Sequence, residues 1–220
     1  MKNKVIPISE AIDKISDGAT IMVGGFLCVG TPQGLIDGIL AKGIKNLTII
    51  SNDTGIPGMG ISKLIAAKVV KKVITSHIGT NPETGKQMMA GTLDVELVPQ
   101  GTLAERIRAA GAGLGGVLTL TGIGTEVANG KQTLVLNNRT YLLELPIRAD
   151  FALVGASIAD TFGNAFFNGA TRNFNPLIAT AADTVIVEAK KIVEPGEIDP
   201  NMVMTHGIFV DCIVRSNSND

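Results

Sequence analysis

The chain is poor in aromatic residues and has no excess of positive charge. It contains no tryptophan, and aromatics make up 4% of its 220 residues. Lys and Arg total 19 against 20 Asp and Glu, a net charge of -1. Proteins that bind nucleic acid use basic surfaces or aromatic side chains that stack on bases. We therefore expect no nucleic-acid partner.

Cysteines and long apolar runs are also scarce. Cys28 and Cys212 lie far apart and outside any Cys-x-x-Cys pattern, so neither a disulfide nor a metal site is expected. No segment reaches the ~18 apolar residues of a membrane span, and residues 1–7 lack the apolar run of a signal peptide. These absences favour a cytoplasmic protein with no membrane association. His206 has no acidic or cysteine neighbour in a motif and is expected to be structural.

Short apolar segments that alternate with helical patterns are what the sequence does have. Such alternation predicts one open, largely parallel, twisted α/β sheet flanked by helices. Asn137-Asn138 between two apolar segments predicts an antiparallel hairpin near 133–144, since Asn tolerates positive φ. We expect one domain over 1–215 and a frayed polar tail over 216–220. The predicted strands are 20–23, 46–51, 73–76, 95–98, 151–154 and 185–188, and the predicted helices are 8–15, 32–42, 61–67, 103–110 and 176–182.

The most informative segment is 17–32, in which the first strand ends at Gly24-Gly25 and Gly30 follows. Thr31 and Pro32 suit the N-cap and first position of a helix. Glycines at a helix N-terminus favour an anion, because free N–H groups and the helix dipole face it. The segment therefore predicts a ligand-binding turn.

Two nucleotide-binding motifs fit the glycines poorly. Gly25-x4-Gly30 has the spacing of a phosphate loop, but Thr31-Pro32 stands where Lys-Ser/Thr is required. A Gly-x-Gly-x-x-Gly pattern at 111–116 follows a predicted helix rather than a strand and has no acidic residue at the expected offset. Neither a nucleotide triphosphatase nor a dinucleotide-binding protein is predicted.

Polar side chains follow three further strands. Asn52 and Asp53 follow the second strand, His77 follows the third, and Gln100 follows the fourth. Ligands of open α/β sheets collect at the carboxyl ends of strands, so one pocket is predicted. Each residue also has a structural alternative: Gln100 could tie two loops together, Asn52 and Asp53 could shape a turn, and His77 could be a hydrogen-bonded core residue.

The chain resembles the alpha subunits of family I (3-oxoacid type) CoA-transferases, most closely the bacterial short-chain members. Residues 17–32 match that family's first signature: Asp/Asn-Gly, two free positions, three apolar residues, Gly-Gly-Phe, three free positions and Gly-x-Pro. The segments 50–53, 76–79, 98–108, 111–113 and 170–175 are also similar to family segments.

The resemblance implies a role for each candidate residue. Gln100 would be an oxyanion-hole donor, and Asn52, Asp53 and His77 would line the substrate pocket. CoA or acyl-CoA would be a substrate, with no permanently bound cofactor. The implied CoA contacts are Gly24, Gly25, Phe26, Leu27, Cys28, Val29 and Gly30.

The resemblance also implies that a second chain is needed. The family transfers CoA through a glutamate that attacks the acyl-CoA thioester, giving a mixed anhydride and then a glutamyl-CoA thioester. That glutamate lies in a Ser-Glu-Asn-Gly motif on the beta subunit, and no glutamate here directly precedes Asn-Gly. The implied function is the alpha chain of an α2β2 enzyme acting on acetyl-, butyryl- or acetoacetyl-CoA. A sugar-phosphate isomerase and a non-catalytic CoA- or anion-binding module remain alternatives.

Overall fold

Strands and helices alternate along most of the chain. The structure, a computed structural model, describes residues 2–217. The helices are α1 (Ile8–Asp13), α2 (Gln33–Lys42), α3 (Ile61–Ala66), α4 (Pro82–Met89), α5 (Gln100–Gly111) and α6 (Asn175–Ile178). The strands are β1 (Thr20–Val23), β2 (Leu47–Asp53), β3 (Val70–His77), β4 (Asp94–Leu97), β5 (Val117–Thr119), β6 (Thr133–Leu136), β7 (Arg139–Glu144), β8 (Ala149–Asp160), β9 (Ala165–Phe166), β10 (Ala182–Val193) and β11 (Cys212–Arg215).

The main sheet has the order β11-β10-β8-β1-β2-β3-β4, and β9 pairs with β8. Over residues 2–217, every pairing in this sheet is parallel except that of β9. The expected open, largely parallel sheet is therefore confirmed. Because β1 to β4 are consecutive neighbours, their carboxyl ends lie side by side.

Both faces of the main sheet are covered, because successive side chains of a strand point to opposite faces. Ile21 and Val23 of β1 belong to the core on one side, with Leu35 of α2. Met22 belongs to the core on the other side, with Leu103 of α5. All five are fully buried, and burial of such a side chain is worth about 1.5–3 kcal/mol. The apolar segment 19–23 thus supplies both cores.

The hairpin expected near 133–144 is confirmed. β6 and β7 pair antiparallel, and Asn137 and Asn138 turn between them with φ of 48° and 61°. The sequence did not predict the third strand of this small sheet, β5, which pairs with the other side of β7.

Other boundaries differ from the expectation. The sequence did not predict α4, which begins at Pro82 after an Asn81 side chain that accepts from the Glu83 N–H at 3.2 Å. The expected strands 151–154 and 185–188 are the centres of β8 and β10, which run for 12 residues each. The helix expected over 176–182 is the short α6.

The tail was expected to begin at Ser216, but Ser216 is tied to β10. Its N–H donates to the Ala189 carbonyl at 2.9 Å, and its hydroxyl donates to Glu188 at 2.8 Å. Residues 218–220, the rest of that expected tail, lie outside the described residues. Within 2–217, no helix combines the length and apolarity that crossing a bilayer requires.

Candidate functional site

The carboxyl ends of β1 to β4 bring the glycine turn, Asn52 and Gln100 together. Asn52 is the last residue but one of β2 and is 3% exposed. Its Nδ2 donates to the Gly25 carbonyl at 2.7 Å, and its Oδ1 accepts from Gln100 Nε2 at 2.5 Å. Ser76 of β3 donates from its hydroxyl to Gln100 Oε1. An exposed glutamine is therefore held by side chains from two neighbouring strands.

Gln100 keeps one donor for a ligand. Its Nε2 carries two hydrogens, one of which goes to Asn52, and the other has no acceptor within residues 2–217. Gln100 is also the first residue of α5, a 12-residue helix. The positive end of the helix dipole adds to the attraction for negative charge at this point. The arrangement suits an oxygen that gains charge during a reaction.

Asp53 and His77 lie at the same edge but outside this hydrogen-bond network. Asp53 is buried, and its two oxygens accept from the N–H groups of Leu27 at 3.0 Å and Gly55 at 2.7 Å. It therefore joins two loops. His77 is exposed beside Asp53 in the β2–β3 register. The buried core position considered for His77 is thus wrong.

The segment 26–29 is a tight hairpin that projects from this edge. Phe26 and Val29 exchange backbone hydrogen bonds of 3.1 and 2.9 Å. Leu27 and Cys28 lie between them with φ of 47° and 68°, a conformation that costs a non-glycine residue about 1–2 kcal/mol. Phe26 is 53% exposed and Val29 45%. The hairpin therefore presents an apolar tip to solvent.

The glycines of the turn make room for the protein's own side chains. A Cβ on Gly24 would lie 1.8 Å from Asn175 Oδ1, and one on Gly25 would lie 1.9 Å from Thr31 Oγ1. Asn175 is fully buried and donates to the Gly30 carbonyl at 2.9 Å. Asn173 accepts from the Gly25 N–H at 3.1 Å. These two asparagines, which clamp the turn from the α6 side, were not recognised from the sequence as individual residues. Their signal is the Asn-Phe-Asn-Pro run at 173–176.

The anion site expected at the start of α2 is already filled, which corrects the prediction. The helix begins at Gln33 rather than at Pro32, and Thr31 is not its cap. The Glu188 carboxylate accepts from the N–H groups of Gly34 at 3.2 Å and Leu35 at 2.9 Å. Glu188 comes from β10, more than 150 residues away, so local sequence gave no sign of it.

Cys28 is not an activated nucleophile. Burial raises the pKa of its thiol, the Ile56 backbone opposes that rise, and the Asp53 carboxylate adds to it. The thiol is therefore protonated at neutral pH and weakly nucleophilic. Burial likewise raises the pKa of Cys212 to about 11. Across residues 2–217, no three His, Cys, Asp or Glu side chains cluster as metal ligands would.

Comparisons with known proteins identify the family. The family model described as coenzyme A transferase matches residues 5–216. The chain is 52% identical over 219 residues to the acetate CoA-transferase subunit alpha of Escherichia coli K12, covering 100% of both chains. It is 53% identical to the acetoacetyl-CoA:acetate/butyrate CoA transferase alpha subunit of Clostridium acetobutylicum, over 98% of this chain and 99% of that one.

The solved structures that match this chain include CoA-transferases. An acyl-CoA transferase from E. coli O157:H7, in a thioester complex with CoA, matches with a TM-score of 0.89 and 26% identity. All of this chain is covered but 48% of that one, so the present chain spans about half the length of the larger enzyme. Glutaconate CoA-transferase from Acidaminococcus fermentans, 23% identical, shares the fold with a TM-score of 0.85. The chain therefore belongs to the coenzyme A transferase family.

Proposed function

We propose that this chain is the alpha subunit of a cytoplasmic CoA-transferase that moves CoA between a short-chain acyl-CoA and a free carboxylate. The names of the two relatives that are about half identical support acetate, butyrate and acetoacetyl-CoA as the substrate class. CoA enters as a substrate, and no permanent cofactor is invoked. The observation that carries the proposal is the oriented amide of Gln100 in a chain without a placed nucleophile.

Gln100 would act on the thioester carbonyl. Attack by a carboxylate drives negative charge onto that carbonyl oxygen, and a preorganised N–H donor stabilises the charge as it forms. The Gln100 Nε2 hydrogen that is not bonded to Asn52 is available for this oxygen. Asn52 would contribute by holding Gln100, and exposed His77 would line the pocket beside it.

The turn over residues 24–30 would contact the thioester end of CoA through its hairpin tip. The N–H groups of Gly24, Gly25 and Phe26 are bonded within the chain. We therefore assign the contact mainly to the exposed side chains of residues 26–29 rather than to free N–H groups. Asp53 supports the tip by accepting from the Leu27 N–H.

The nucleophile would come from a beta-type partner. The two glutamates that are buried within residues 2–217 are engaged elsewhere: Glu188 accepts from N–H groups of α2, and Glu144 pairs with Lys131 at 2.5 Å. A glutamate in a Ser-Glu-Asn-Gly motif would reach the thioester from the partner, in an α2β2 assembly. A sugar-phosphate isomerase would need a catalytic acid, for which Asp53 is the candidate. That role is not supported, because both oxygens of Asp53 accept backbone hydrogen bonds.

The test is a transfer assay with acetyl-CoA and butyrate on three samples: the purified chain, the purified partner and their complex. We expect transfer by the complex alone. Borohydride added to the complex during turnover should reduce a glutamyl-CoA thioester on the partner, releasing CoA as the thiol and converting that glutamate to the alcohol 5-hydroxynorvaline.

Three outcomes would contradict the proposal. The first is robust transfer by the isolated chain, and the second is borohydride reduction of one of its own glutamates. The third is a complex that binds acyl-CoA but transfers CoA to no short-chain carboxylate, which would indicate a binding module.

A further inference from the structure

The orientation of the Gln100 amide follows from the orientation of Asn52. A backbone carbonyl accepts hydrogen bonds, so the group that faces the Gly25 oxygen at 2.7 Å must be the Asn52 NH2. Asn52 Oδ1 then faces Gln100 and requires an N–H donor, which places Gln100 Nε2 at 2.5 Å. Turning the Gln100 amide over would set two amide oxygens against each other. The Gly25 carbonyl thus determines that the nitrogen of the Gln100 amide, and not its oxygen, faces Asn52.

The oxygen of the Gln100 amide then needs a hydrogen-bond donor, and the Ser76 hydroxyl supplies it. Gln100 Oε1 lies on the side away from Asn52, next to the Ser76 hydroxyl. Ser76 Oγ also lies 2.7 Å from the Asn52 carbonyl. A hydroxyl has one proton and can donate it in one direction at a time. We assign that proton to Gln100 Oε1, because no other group within residues 2–217 donates to this oxygen.

We infer that Ser76 is a positioning residue for the transfer reaction, acting through Gln100. Its hydroxyl holds Oε1, so that the second Nε2 hydrogen points out of the network toward the substrate. The inference rests on the proposed oxyanion role of Gln100.

The position of Gln100 explains why a second anchor is useful. Its side chain is exposed, and a free glutamine samples many rotamers. Ser76 is half-buried on β3, within a parallel sheet that holds its backbone. A donor that is held in place before the reaction needs no reorganisation as charge develops. Accepting a hydrogen bond at Oε1 also polarises the amide and strengthens its N–H as a donor.

The experiment is a mutant cycle in the complex with the partner subunit. It compares Ser76→Ala, Gln100→Ala and the double variant, with kcat, KM and thermal unfolding measured on each. We expect Ser76→Ala to lower kcat about five- to tenfold, as loss of one hydrogen bond implies, with KM within about twofold. In the Gln100→Ala background the same change should have no further effect, because residues that act as a unit are not additive.

Two further variants separate positioning from a structural role. Ser76→Thr keeps the hydroxyl and should restore most of the lost kcat. Ser51→Ala is the matched control, since Ser51 on the neighbouring strand donates to the Asp53 carbonyl at 2.7 Å and not to Gln100. It should leave kcat within about twofold.

The outcomes distinguish this inference from the proposed function. If Gln100→Ala is strongly impaired and Ser76→Ala multiplies that loss, Ser76 acts independently and the inference is wrong. It is also wrong if Ser76→Ala lowers the melting temperature and leaves kcat unchanged. A Gln100→Ala complex with normal turnover would overturn the role of Gln100 itself, and the inference with it.

Discussion

The two halves of the sheet's carboxyl edge treat their polar groups differently. On the β8 and β10 side, Glu188 accepts from two N–H groups at the start of α2, and Asn175 donates to the Gly30 carbonyl and accepts from an N–H of β8. On the β2 to β4 side, Asn52 and Ser76 hold Gln100 but leave one of its N–H groups pointing outward. We call these the filled half and the open half.

The difference teaches that a glycine-rich motif does not by itself locate a ligand. The motif at 17–32 lies next to the filled half. There, side chains of this chain fill the space that the glycines leave and accept from the N–H groups at the start of α2. An unused donor is found instead at Gln100, beyond the motif. The motif shapes the edge of the site, and the open half supplies the hydrogen-bond donor.

The largest effect is expected when one glutamine of the open half and one matched glutamine elsewhere at this edge are each replaced by alanine. Gln100→Ala in the complex should lower kcat roughly 10²- to 10³-fold, about 3–4 kcal/mol, because it removes the oxyanion donor. Gln33 is the control: it too is the first residue of a helix at this edge, but its Oε1 accepts from the Gly60 N–H at 2.9 Å. Gln33→Ala should lower the melting temperature slightly and keep kcat within a few-fold. Equal kinetic losses would remove the distinction between the halves.

Many strands and helices could be predicted from local sequence, but the hydrogen-bond network at the strand ends could not. Thr20–Val23 was predicted with its observed bounds because an apolar segment ends at Gly24. The hairpin was predicted because Asn137 and Asn138 tolerate positive φ. Gln100 was identified through its place after a strand and through family resemblance.

The missed features depend on distant residues or on weak local signals. Glu188 replaces the expected cap of α2 from more than 150 residues away, so only the folded chain brings it there. Ser76 is a small residue beside the more conspicuous His77. The beginning of α4, Pro-Glu-Thr-Gly at 82–85, contains a glycine and no apolar residue, so no helical periodicity marks it.

A glycine pair tests how tightly the filled half is packed. Gly25 has φ of +117°, and a Cβ there would lie 1.9 Å from Thr31 Oγ1. Gly43, the C-cap of α2, has φ of +72° and nothing within 4 Å of its Cβ position. Gly43→Ala should lower the free energy of unfolding by about 1 kcal/mol through backbone strain alone. Gly25→Ala should lower it by about 3 kcal/mol, because overpacking is added.

Chemical denaturation of both variants measures this difference, and Gly25→Val should be more severe than Gly25→Ala. Equal losses for the two alanine variants would mean that Thr31 moves aside easily. The filled half would then be adaptable, and its glycines would be free to serve a ligand instead.

The smallest effect is expected at the outer edge of the open half, where ion pairs attach α5 to β4. Glu96 lies 3.1 Å from Lys72 Nζ and 3.2 Å from Arg106 of α5, the helix that begins with Gln100. Burial favours a higher pKa for Glu96, but the hydrogen bonds and charges of Lys72 and Arg106 outweigh it, so the pKa is lowered. A carboxyl whose pKa is lowered by folding stabilises the protein above its unfolded pKa of about 4.3. That contribution is lost as the pH falls through the lower folded value.

Glu96→Gln should therefore lower the free energy of unfolding by about 1 kcal/mol or less near pH 7, since Glu96 and Lys72 remain partly exposed and solvent screens their charges. The difference from the wild-type chain should shrink below about pH 4 and also in 1 M salt, which screens exposed charges. Urea unfolding at pH 7 and pH 3 measures both. Because Ser76 and Asn52 hold Gln100 locally, kcat of the complex should stay within about twofold. A large loss of kcat would mean that Gln100 is oriented by the anchoring of α5 rather than by the strand-end network, and the open half would then extend to β4.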